Sequence, residues 1–82
     1  MYIFKVLKEA RMPITLFAAL TGISKQTYHH WKRGGGINDQ LRLNIAVKTA
    51  KGIEVLRIRK ALPLADTPTN AKIEYLRKAL SL

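Results

Sequence analysis

The chain has no cysteine. That absence removes disulfides, thiolate metal sites, thiol nucleophiles and iron–sulfur clusters in one step, and with them any small secreted fold built on disulfide staples. Acidic residues are scarce: five Asp and Glu stand against fifteen Lys and Arg, for a formal charge of +10. The five are scattered at 9, 39, 54, 66 and 74, and the two histidines, His29 and His30, are neighbours. Adjacent helical residues diverge by about 100°, so the histidine pair converges on no metal, and no set of nucleophile, base and orienting group assembles from what remains. The expectation is a protein with no enzymatic activity, cofactor or metal. Long apolar runs are missing too. The longest run in the first 24 residues is Leu16 to Leu20, and Lys or Arg breaks up the remainder of the chain. Neither a signal peptide nor a membrane span is expected, which makes the cytoplasm the expected compartment.

What is present describes a small folded unit. At about 100 to 150 residues per domain, 82 residues allow one domain with room for a helical arm. A composition 48% hydrophobic and 24% charged is too apolar for a disordered basic tail. The positive excess, about one charge per eight residues, goes beyond what solubility needs and points to a polyanion partner.

Helical periodicity organises the first third. Ile3, Phe4, Val6, Leu7 and Ala10 share a face from Tyr2 to Arg11, with Lys5, Lys8, Glu9 and Arg11 between them. Pro13 forces a break near residues 12 and 13, and a short second helix runs to about Thr21. Gly22 suits a left-handed turn, Ser24 suits an N-cap, and a third helix runs from Lys25 to about Arg33 before Gly34, Gly35 and Gly36 stop it.

Two readings stand for residues 41–58. In the helical one, Asn38 or Asp39 caps a helix running to Lys51, Gly52 ends it, and Glu54 to Leu62 form another before Pro63. In the other, Leu41, Leu43, Ile45 and Val47 alternate with polar or small residues as one strand of a β-hairpin or wing. Helices are preferred because the alternation stops at Ile53. Residues 63–70 (PLADTPTN) hold two of the three prolines and read as a linker. A last helix follows at 71–82, with Thr67 as cap and Pro68 at its first position. Its stripe of Ile73, Leu76 and Leu80 must dock either on the chain itself or on a second subunit, and a homodimer contact is the preferred reading.

The overall expectation is an all-α fold: a helical domain at 1–62 whose function the window at 14–33 decides, a linker at 63–70 and a C-terminal helix read as a dimerisation element. The deciding window is 14–33, ITLFAALTGISKQTYHHWKR. A helix-turn-helix needs a small residue where its helices touch, a glycine four residues later, and apolar residues wedging the second helix against the first. Ala18, Gly22, Ile23, Tyr28 and Trp31 supply these, with Phe17 and Leu20 expected to face the first helix. On the wheel of the third helix, Lys25, Gln26, His29, Lys32 and Arg33 fall within about 120°, and no acid lies among them. Such a face suits a major groove, where glutamine bonds adenine and lysine bonds guanine. Tyr28 and Trp31, on the other side, read as core instead of base-stacking aromatics, and the triple glycine reads as a helix stop with no phosphate-loop context. Arg57, Arg59 and Lys60 read as a solvated face or a second DNA patch.

Through A-x-L-T-G-I-S (Ala18 to Ser24) and W-K-R-G-G (Trp31 to Gly35), the window resembles the helix-turn-helix of the Cro and lambdoid-repressor superfamily, including the YdaS-like phage and antitoxin regulators. The resemblance implies that Lys25, Gln26 and His29 read bases, with Ser24 and Thr27 in phosphate or supporting contacts. It also implies that Lys32 and Arg33 lie near the backbone; His30 completes the candidate set on this helix. Where that family opens its second helix with a capping Ser or Thr followed by Gln, this chain has Pro13 and Ile14, and Thr15 is the substitute phosphate contact. The implied function is a sequence-specific double-stranded DNA-binding regulator, a phage- or plasmid-type repressor acting as a homodimer by operator occupancy. The rival readings are an antitoxin whose residues 63–82 bind a toxin, and an excisionase-like factor that bends DNA with a wing at 41–58. A basic amphipathic protein on membranes is disfavoured, because the cations accompany a turn motif.

Overall fold

Pro13, Gly22 and the glycines after Arg33 cut the first third of the chain into three short helices, as the turn chemistry requires. The computed structural model describes residues 1–82, with α1 at Tyr2–Ala10, α2 at Ile14–Thr21 and α3 at Lys25–Lys32. Arg11 ends α1 in the left-handed region (φ 53°), its N–H bonded to Lys8 O and that of Met12 to Leu7 O. This is a Schellman closure with arginine where glycine is usual. Pro13 is extended (φ −63°, ψ 142°) and starts α2, and Gly22 closes it at φ 76° with its N–H on Ala18 O.

The fourth element corrects the expectation for 41–58. Neither a hairpin nor a pair of helices forms; a single helix, α4, runs through Gln40–Ile58. Asp39 caps it by accepting from Arg42 N at 3.0 Å. Its buried residues are Ala46, Thr49, Ala50 and Ile53, a helical i, i+3, i+4, i+7 face. The larger residues misled the pattern, because Leu41 and Ile58 are 71% and 68% exposed while two alanines are fully buried. Small side chains let α1 approach α4 closely, and an alternation of leucines carries no trace of that requirement. Gly52 sits inside the helix and does not end it. A Cβ there would collide with Leu80 Cδ2, so the glycine is the notch that receives the end of the last helix. The true end lies past Ile58, where Lys60 takes φ 56° and Ala61 N bonds Leu56 O.

The last helix, α5, spans Thr69–Ala79. Pro68 is its N-cap in extended geometry and no side chain caps it, so neither Thr67 nor Pro68 holds the place expected for it. Residues 63–70 are no free linker. Tyr75 Oη donates to Ala61 O at 2.6 Å and Lys72 Nζ to Ala65 O at 3.0 Å, pinning the connection against the helix it precedes.

Two apolar clusters share the interior. The larger joins Ile3, Val6 and Leu7 of α1 to Phe17, Ile23, Tyr28, Trp31, Ala46, Ala50 and Ile53, with Phe4 edge-on to Tyr28 at 5.1 Å. The smaller is Leu16, Leu20 and Leu76, with Ile73 and Leu80 packed against it. Leu20 therefore faces α5 and not α1. The stripe expected at a dimer contact is docked inside its own chain, with Leu76 fully buried. An 11-residue tail helix with a stripe of three apolar residues does not hold itself folded in water, and α2 offers the nearest apolar surface. The radius of gyration, 12.2 Å, is close to the roughly 11.7 Å expected of a compact chain this long, which leaves no room for a detached arm.

Candidate nucleic-acid interface

The α2–turn–α3 unit is fixed from three directions. Thr21, buried at the end of α2, donates its hydroxyl to Phe17 O at 2.9 Å and accepts from Ile23 N at 3.3 Å, so one side chain stitches both sides of the turn. Ser24 caps α3, its Oγ accepting from Thr27 N and donating to Thr27 Oγ1, both at 3.0 Å. Arg42 reaches in from the first turn of α4, its guanidinium donating to Gly22 O at 2.6 Å while its Nε lies 3.1 Å from Asp39. A cation on an outward-pointing carbonyl at a helix C-terminus is favourable both as a hydrogen bond and against the helix dipole. Sequence reasoning missed Arg42, and no local signal marks it, since donor and acceptor are twenty residues apart.

Tyr28 and Trp31 point inward and are buried. Tyr28 is flanked edge-on by Phe4 and, at 6.4 Å, by Phe17, and burial raises its phenol pKa above the usual value. Their opposite face carries Lys25, Gln26, His29, His30, Lys32 and Arg33, every one exposed. The structure thus brings together the base-reading set expected for α3. It separates four others from that set. Ser24 and Thr27 satisfy one another at the cap, Thr27 being half-buried. The ring of His30 rests against the backbone of Gly35, where a Cβ would overlap it, at the edge of the arc toward the glycine loop. Thr15 is exposed in the first turn of α2 without capping it.

Charge is sorted in the same sense. Asp39 lies on Arg42, Glu9 on Arg57 at 3.2 Å and Glu74 on Lys78 at 3.5 Å, while Glu54 accepts from Tyr2 Oη at 3.0 Å. That phenol is raised by desolvation and, after it, by Glu54. None of these carboxylates is on α3, whose exposed face is left with unneutralised cations and amide and imidazole donors. Chemically, such a face can donate to phosphate oxygens and to guanine or adenine edges, and can accept only through Gln26 and imidazole nitrogens. No group of three or more His, Cys, Asp or Glu is placed to hold a metal ion. No helix is long and apolar enough to cross a membrane.

Comparison with protein-family models, curated proteins and solved structures gives no match to this chain.

Proposed function

We propose that the protein is a sequence-specific double-stranded DNA-binding regulator of the phage or plasmid repressor type, acting in the cytoplasm by occupying an operator. The observation that carries this reading is the division of α3: Tyr28 and Trp31 are anchored in the core, which holds an acid-free face of Lys25, Gln26, His29, Lys32 and Arg33 toward solvent on a clamped turn. An eight-residue helix of this kind has the width a major groove admits. Phosphate contacts by the cations supply affinity, and Gln26 with Lys25 and His29 supplies base choice.

A lone recognition helix covers only a few base pairs, so two copies on a two-fold site is the expected stoichiometry, through a surface other than the Ile73, Leu76 and Leu80 stripe. The rival readings lose their supports. The segment meant to bind a toxin is docked on α2, and the wing meant to bend DNA is helical.

The test is selection of bound duplexes from a random pool, followed by titration of wild type and Gln26→Ala against the enriched and the random sequence. Gln26→Ala is expected to cost about 1–3 kcal/mol on the enriched sequence and far less on the random one. Equal losses on both reassign Gln26 to a phosphate, and a failure of wild type to enrich any sequence refutes specific readout.

A further inference from the structure

Between α1 and α3 lies an open groove of about 600 Å³ whose floor includes Phe4 and Tyr28 and whose rim carries Lys5, Lys8, Arg11 and Lys32. Three of these cations recur at i, i+3 and i+6 along α1 and the fourth comes from α3, so two helices converge four like charges on one depression. No carboxylate lines it. Glu9, the one acid of α1, is paired with Arg57 at 3.2 Å and does not line the groove. Ile14, at the start of α2, also borders the groove, and the N–H groups of Ile14 and Thr15 have no acceptor within the chain. All four cations are exposed. Like charges gathered this way repel one another until a polyanion arrives, and unpaired backbone donors beside them favour the same ligand.

The geometry points to a second nucleic-acid contact: the Lys5, Lys8 and Arg11 edge of α1, joined to the recognition face through Lys32, holds the sugar-phosphate backbone of one strand flanking the major groove. This rests on the reading of α3 as the base-reading helix and adds an element to it. Lys32 decides the occupant, because it belongs both to the groove rim and to the exposed arc of α3, making the two surfaces continuous. A backbone leaving the major groove on this side meets the cations of α1 next. The contact is sequence-independent, so α1 sets register and affinity while α3 chooses the site. Arg11 shows how its part can be isolated. Its left-handed φ suits glycine, so removing the side chain altogether relieves backbone strain while deleting the charge.

The experiment measures binding of the full chain to a labelled random-sequence duplex between about 50 and 200 mM salt, for wild type, Lys5→Gln/Lys8→Gln/Arg11→Gln and Arg11→Gly. Each phosphate contact adds about 0.9 to the slope of log K against log salt, so the triple variant is expected to lose about 2.7 of it and Arg11→Gly about 0.9. Across that salt range, wild type then loses about 40-fold more affinity than the triple variant. Arg11→Gly, expected to melt at or above the wild-type temperature, guards against a variant that merely fails to fold. Unchanged slopes in both variants, with Gln26→Ala still discriminating enriched from random DNA, overturn this inference and leave the base-reading helix standing. A flat salt response in wild type, together with no effect of Gln26→Ala, removes both. A poly-glutamate peptide that binds wild type and not the triple variant, while the DNA slopes stay equal, makes the groove a site for an acidic protein segment and overturns the backbone contact.

Discussion

Truncating Leu76 to alanine tests whether α5 belongs to the chain's own core. Leu76 has no exposed surface and lies between Leu16 and Leu20 of α2, with Ile73 and Leu80 closing over it. Burying a leucine side chain is worth about 1.5–3 kcal/mol in transfer alone, and the cavity left by truncation raises the cost of Leu→Ala to about 2–5 kcal/mol. A chain of this length has roughly 4–12 kcal/mol of stability in all, so the loss is a large share of it. At about 4–8 °C per kcal/mol, the midpoint should fall by roughly 10 °C or more. Urea and thermal unfolding followed by circular dichroism, run over a range of protein concentrations, reads the result. A core contact lowers stability equally at every concentration, whereas a dimer contact makes wild-type stability rise with concentration and confines the loss to concentrated samples. Ile58→Ala, at a position 68% exposed, serves as the control and should stay within about 0.5 kcal/mol of wild type. An unchanged midpoint for Leu76→Ala, or a loss seen only in concentrated samples, refutes the docking of α5 on α2. Deleting residues 66–82 should unfold the chain for the same reason, by stripping cover from Leu16 and Leu20.

Thr49 is buried on α4 and its hydroxyl has no partner, so Thr49→Val should stabilise the protein by about 1 kcal/mol in urea titrations; a destabilised variant shows that the hydroxyl is satisfied in solution. Burial raises the pKa of Tyr28, so the folded state holds that proton more tightly than the unfolded chain. This contribution is complete below the unfolded pKa of about 10 and is lost as pH rises through the folded value. Stability should therefore decline more steeply above about pH 10 in wild type than in Tyr28→Phe, and parallel alkaline declines contradict the shift.

The first three helices were legible from the sequence, because their limits are written in residues whose backbone chemistry is local. Pro13 cannot continue α1, Gly22 takes a positive φ at no steric cost, Ser24 supplies the cap oxygen, and the glycines after Arg33 stop α3. The inward direction of Tyr28 and Trp31 and the outward direction of Lys25, Gln26 and His29 follow from the helical period once those limits are known. Local chemistry does not reach the remainder. Residues 41–58 fit two periods, and the choice fell to a helix whose alanines admit α1, a partner nearly forty residues away in the chain. Gly52 read as a stop signal because glycine ends helices, yet here its missing side chain makes room for Leu80, which only the return of α5 brings there. Arg42 on Gly22 O, and the meeting of Lys5, Lys8 and Arg11 with Lys32, likewise depend on how α4 and α1 pack around the turn. The stripe of Ile73, Leu76 and Leu80 announced itself as apolar, but amphipathicity specifies that a face must be covered and not by what. The covering surface was decided by α2, whose two leucines would otherwise have faced water.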